Sequence, residues 1–146
     1  MKAVICDLDG TLCLIDHRRH HVLKTPKDWE SFNHECEKDE PNVPVIELVR
    51  MYHQAGYAVI FCSGRSDKWR KQTIDWIHLN YGNSWTSILM RRVGDYRPDV
   101  EIKKEMLDRI RKGGFRPCIA IDDRDCVVAM WRAEGLTCLQ VAPGDF

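Results

Sequence analysis

The chain has 146 residues, 44% of them apolar and 30% charged, with 22 basic side chains against 22 acidic ones. That length suits one domain with a usable core, and that composition excludes a disordered or low-complexity chain. A formal net charge of zero excludes a global pull onto a polyanion, so nucleic-acid contact would need a local basic patch.

Residues 2–6, KAVIC, predict a short buried strand. Residues 13–24 are mixed and give no clear element. Thr25-Pro26 predicts a helix start, with Thr25 as N-cap and Pro26 at the first helical position, ending near Glu37 and carrying Trp29 and Phe32. KDEPNVP is expected to be loop. Pro44 opens a helix with Val45, Ile46, Leu48, Val49 and Tyr52 on one face, stopped by Gly56. YAVIFC at 57–62 is a continuous apolar strand, followed by the polar SGRSD and a helix to about Asn80. SILM at 87–90 predicts another strand, and RRVGDYRPD a polar loop. An amphipathic helix spans 100–112 and stops at Gly113-Gly114. CIAI at 118–121 is again strand-like and ends in DDRD. A helix from about Cys126 to Glu134 and the strand TCLQV at 137–141 close the pattern.

Strands alternating with helices imply the α/β class, a doubly wound parallel sheet of about five strands with helices on both faces. Continuous apolar strands agree, because such strands are covered on both sides. There is no internal repeat and no inter-domain linker. No apolar run is long enough to span a bilayer. The N-terminus enters a strand within three residues, so no signal peptide is expected. The seven cysteines fall at irregular spacings with no C-x-x-C pair. A zinc site is therefore not expected, and a reduced, cytoplasmic setting is.

In open α/β sheets, ligands bind beyond the carboxyl ends of the strands. Asp7 and Asp9 follow the first strand, Ser63 and Arg65 the second, Asp122 and Asp123 the fourth. One such aspartate alone is ordinarily a turn former or helix cap. Four carboxylates converging on one edge would repel each other strongly without a cation. Magnesium takes carboxylate and phosphate oxygens and is the natural counter-ion. The chemistry that fits is phosphoryl transfer. One carboxylate attacks, a second protonates the leaving oxygen, and basic or hydroxyl groups hold the transferred phosphoryl group.

Asp7-Leu8-Asp9-Gly10-Thr11, Ser63-Gly64-Arg65, Lys103 and Asp122-Asp123 resemble the four ordered motifs of the haloacid dehalogenase superfamily. The run AIDDRDCVVAMWRAEGLTCLQVAPGDF closely resembles the 3′-phosphatase domains of bacteriophage polynucleotide kinase/phosphatases. The resemblance covers essentially the whole of residues 1–146, read as one domain, and is weakest at 19–43 and 66–90. It implies a Rossmann-like core with a small helical cap at residues 13–43. It implies Asp7 as nucleophile and metal ligand, Asp9 as general acid lending a carbonyl to the metal, and Asp122 and Asp123 as holding or orienting Mg2+. Ser63 and Lys103 would contact the phosphate, with Lys103 also steadying Asp7. Thr11, Gly64, Arg18, Arg65 and Asp99 match further positions on the phosphate side. Arg91, Arg97 and Arg124 are candidate substrate contacts.

The implied substrate is a 3′-phosphorylated DNA or RNA end. A separate kinase or ligase would be a partner, because no G-x-x-x-x-G-K-[ST] kinase loop occurs. The chain would then be a free-standing phosphatase or the phosphatase domain of a longer chain, in the host cytoplasm if phage-encoded. A phosphatase of free nucleotides or other small phosphoesters would carry the same motifs. A phospho-accepting receiver domain is a rival of another class, but its acidic pair follows the first strand, whereas here DD follows the fourth. Lys103 in EIKKEML competes with Lys104 and with an ordinary solvated helix face. The histidines of HRRHH read as surface or cap residues. The tryptophans read as mostly core, with Trp29 the candidate for stacking on a base.

Overall fold

The computed structural model describes all 146 residues. Five parallel strands form one sheet in the order β5-β4-β1-β6-β7. They are β1 (Lys2–Cys6), β4 (Ala58–Ser66), β5 (Ser87–Arg91), β6 (Arg116–Asp122) and β7 (Thr137–Gln140). The remaining two, β2 (Cys13–Leu14) and β3 (Glu40–Pro41), pair antiparallel as a small separate ribbon. The expected Rossmann-like α/β fold is present.

Strand periodicity decides which helix each residue meets. Ala3, Ile5, Ala58, Ile60 and Cys62 point to one face, against α5 (Asp99–Lys112) and α6 (Asp125–Ala133). Val4, Cys6, Val59 and Phe61 point to the other, against α3 (Val43–Gln54) and α4 (Arg70–Asn80). Both sets are fully buried, which is why these strands read as unbroken apolar runs. All seven cysteines are unpaired.

The insertion after β1 differs in detail from the sequence reading. The unassigned stretch supplies β2 and the short α1 (His20–Leu23). Thr25 caps no helix. Instead the Asp28 carboxylate accepts from Ser31 N–H at 3.0 Å, so α2 (Trp29–His34) begins there. A 3₁₀ turn at Cys36–Lys38 follows. The stretch expected to be loop contributes β3. β4 also runs past Cys62, and its pairing with β5 shifts register between Ser63 and Ser66. Gly64 and Arg65 thus sit in a bulge, a device that re-aims side chains beside functional sites. No helix is long and apolar enough to cross a membrane.

Candidate active site

The site begins where β1 leaves the sheet. Asp7 N–H still donates to Ile121 O at 3.0 Å. Leu8 is fully buried and anchors a tight turn, its carbonyl accepting from Thr11 and Cys13. Gly10 has a φ of +81°, and a Cβ there would overlap the Asp123 carboxylate. Both the backbone and the space require glycine at this point.

Asp7, Asp122 and Asp123 converge, each with an oxygen within 4.8 Å of the others, and all three are buried. Lys103 reaches them from α5. Its ammonium lies 2.7 Å from Asp7 Oδ1 and 2.9 Å from Asp122 Oδ2, with Asp99 Oδ2 at 3.9 Å. Lys103 is buried, whereas Lys104 is exposed and pairs with Glu134. Thr11 Oγ1 lies 3.0 Å from Asp7 Oδ2 and 3.3 Å from Asp123 Oδ1. Asp122 is saturated, its Oδ1 accepting from the Asp123 and Arg124 N–H groups and its Oδ2 also from Trp131 Nε1 at 3.1 Å.

Three carboxylates against one ammonium leave an excess of two negative charges in a buried place. Burial and the Asp122 charge push Asp7 well above the usual carboxylate range, against the pull of Lys103. The same two causes push Asp123 up to about 6. A divalent cation fits this charge and this hard oxygen donor set. Asp122 accepts from four donors, whereas Asp7 accepts from Lys103 and Thr11 and Asp123 from Thr11 alone, so Asp7 and Asp123 have the freer oxygens for the ion.

Asp9 behaves differently from the expectation of four converging carboxylates. Its side chain turns into a second cluster, accepting from Arg18 Nη2 at 2.5 Å and from Arg65 Nη2. Burial pushes the Asp9 carboxyl up, but Arg65 and Arg18 outweigh it and hold the group below the usual carboxylate range. An acid with a raised pKa, which a proton donor needs, is therefore not what this geometry provides. The Asp9 carboxylate is not part of the Asp7–Asp122–Asp123 group.

Asp39, from the segment read as loop, completes that cluster. Its carboxylate accepts from Arg18 Nε at 2.7 Å and Nη2 at 2.6 Å, with His17 Nε2 at 2.6 Å. Arg18 also stacks on Phe32, 4.1 Å from the ring centre. Arg65 Nη1 donates to Thr73, while its Nε is buried without a partner. Two aspartates and two arginines make this cluster neutral. Nothing in the sequence marked Asp39, which lies in a charged run. Trp131 had a signal in the specific MWR segment.

The other candidates fall around the rim. Ser63 is buried, its Oγ accepting from Arg65 N–H at 3.1 Å. Arg91 donates to the Gly64, Asp95 and Arg97 carbonyls and to Asp99 Oδ1. Arg97 pairs with Asp95 and Glu105. These two arginines hold the β5–α5 loop together and are not brought to the carboxylate cluster. Arg124 stands nearer, 3.8 Å from Asp99 and bonded to the Phe146 carbonyl.

A doubly wound parallel sheet with this carboxylate–lysine cluster at its carboxyl edge defines a phosphoester hydrolase of the haloacid dehalogenase type. The family profile of the polynucleotide kinase PNKP phosphatase domain matches residues 1–146, and the chain belongs to that family. A bifunctional polynucleotide kinase/RNA ligase, so named, from Autographa californica nuclear polyhedrosis virus is 30% identical over 132 residues. The match covers 90% of this chain and 18% of that one. A solved chain from the Pnkp1/Rnl/Hen1 RNA repair complex is 38% identical with a TM-score of 0.85, covering 99% of this chain and 43% of that one. The chain thus spans less than half the length of either relative. The Class C acid phosphatase of Bacillus anthracis shares the fold, with a TM-score of 0.69 at 15% identity, covering 99% of this chain and 66% of that one.

Proposed function

We propose that this chain removes 3′-terminal phosphates from polynucleotides, with Mg2+, through an aspartyl-phosphate on Asp7. The carrying observation is the buried Asp7–Lys103–Asp122–Asp123 cluster, two negative charges in excess, in a chain that matches the polynucleotide phosphatase family from end to end.

Asp7 is aimed by Lys103 on one oxygen and Thr11 on the other, which fixes the attacking carboxylate. Asp122 holds the Lys103 ammonium in turn. Bound between Asp7 and Asp123, magnesium would supply positive charge against the phosphoryl oxygens. Arg65 has an unpartnered buried Nε for a phosphate oxygen. An incoming dianionic phosphate competes with Asp9 for Arg65 and Arg18. As those guanidiniums turn to the phosphate, Asp9 loses the cations that keep it ionised. It can then take up a proton from solvent and pass it to the 3′-oxygen as the P–O bond breaks, and later accept a proton from the water that cleaves the aspartyl-phosphate. The 13–43 insertion is small, which leaves room for a strand end.

The relatives are named for polynucleotide kinase, RNA ligase and RNA repair. By that likeness the chain works in nucleic-acid repair beside a kinase or ligase. The decisive measurement is the ratio of kcat/KM for the 3′- and 5′-phosphate isomers of one oligonucleotide. A ratio well above one supports the proposal. A ratio near one, or a preference for free nucleotides, would move the chain to a nucleotidase with the same catalytic residues.

A further inference from the structure

Large apolar side chains stand in solvent along one rim of the site. Trp29, at the start of α2, is 51% exposed, and Val93 and Tyr96, in the loop after β5, are 65% and 94% exposed. Hydrogen bonds link the segments that carry them. Glu30, beside Trp29, accepts from Lys68 Nζ at 2.5 Å, and Asp67, beside Lys68, accepts from Val93 N–H at 3.1 Å. Cations are interleaved. Lys27 Nζ lies 5.7 Å from the Trp29 ring centre, and Lys27, Lys68 and Arg92 are all exposed.

Both ends of the rim connect to the segments that carry Arg18 and Arg65. Trp29 packs edge-on against Phe32 at 5.6 Å, and Phe32 carries the Arg18 guanidinium that reaches Asp9. At the other end, Arg91 ties the Tyr96 loop to the Gly64 carbonyl beside Arg65. Exposed aromatics and cations are thus tied to the segments that carry Arg18 and Arg65.

Exposed aromatic rings alternating with cations are the chemistry of single-strand nucleic-acid binding, where stacking tolerates any base and cations follow the backbone. We propose that this rim seats the unpaired nucleotides on the 5′ side of the terminal phosphate. Trp29 and Tyr96 stack on bases, and Lys27 and Arg92, which pair with no carboxylate, face the backbone phosphates. This rests on the polynucleotide reading above, and it makes the chain select for length of single strand without reading sequence.

The test uses Trp29→Ala, Tyr96→Ala and the double variant. Each is compared with the unaltered chain on p-nitrophenyl phosphate and on a six-nucleotide 3′-phosphorylated single strand. Thermal unfolding should be unchanged for Tyr96→Ala, whose ring is 94% exposed, and Trp29→Phe, which keeps an aromatic ring against Phe32, should restore strand affinity to the Trp29 position. The double variant should lose about tenfold more kcat/KM on the oligonucleotide than on p-nitrophenyl phosphate. Its loss should appear in KM and in fluorescence-anisotropy binding of the labelled strand. Equal losses on both substrates, or no loss on either, would overturn the rim assignment, and so would an intact strand affinity in the double variant. Failure of the polynucleotide reading shows elsewhere, as an unaltered chain that turns over p-nitrophenyl phosphate and leaves the 3′-phosphorylated strand untouched.

Discussion

Two buried charge clusters lie side by side at the end of β1, and their balance differs. The Asp9–Arg18–Arg65–Asp39 cluster is neutral and closed, while the Asp7–Lys103–Asp122–Asp123 cluster is short of positive charge. That contrast is what the proposed division rests on, with a cation at the second cluster and a phosphate at the first. Asp7→Asn should reduce turnover by about 10⁴-fold or more while the protein stays folded, because an amide cannot attack phosphorus. Phosphate trapped on a residue other than Asp7 would reject the assignment. Asp39→Ala removes the carboxylate that receives two Arg18 N–H groups in a fully buried place. Leaving a buried guanidinium short of a partner should lower unfolding stability by about 3–5 kcal/mol, measured by urea titration. A loss below about 1 kcal/mol would mean that water or Asp9 takes over the bonds.

At the scale of elements, the β5–α5 loop is built on one side chain. Arg91 binds three carbonyls and one carboxylate, so its planar fork sets the loop's shape. A lysine keeps the charge but has no fork. Arg91→Lys should therefore behave like Arg91→Ala, with faster proteolytic cleavage in residues 92–98. If Arg91 instead served as a simple phosphate cation, lysine would restore most of the activity and the loop would stay resistant. The helix α5 shows the same logic in a rigid element. Ile102, Met106, Leu107 and Ile110 are buried on the sheet, and that seating drives Lys103 into the carboxylates.

At the scale of the whole molecule, the site costs the fold stability. With Asp123 at about 6 in the folded chain and an unfolded aspartate near about 3.9, folding takes up protons between those values. The cost is full above about pH 6 and is gone below about pH 4. Asp7 shifts in the same direction. Asp9 shifts the other way, and its contribution is lost only as pH falls below the ordinary carboxylate range. Chelator-treated protein should therefore melt at a higher temperature at about pH 5.5 than at about pH 7.5. Magnesium should raise Tm more at about pH 7.5, where the carboxylates are ionised, than at about pH 5.5. An equal magnesium effect at both pH values would place the ion elsewhere.

The sequence by itself determined the α/β sheet and most of the edge where the site lies. Unbroken apolar runs such as YAVIFC mark strands covered on both faces, and chain order then puts Asp7, Ser63 and Asp122 at one carboxyl edge. These are local signals, legible without partners. The tertiary structure alone decided which carboxylates meet. Asp7 joins Asp122 and Asp123 across more than a hundred residues of chain, while Asp9, two residues away, turns to Arg18 and Arg65. It also decided Lys103 over Lys104, the role of Asp39, and the use of Arg91 and Arg97 within their own loop. Each of these depends on where a side chain points once distant segments have packed, and a buried charge takes the partner that packing brings to it.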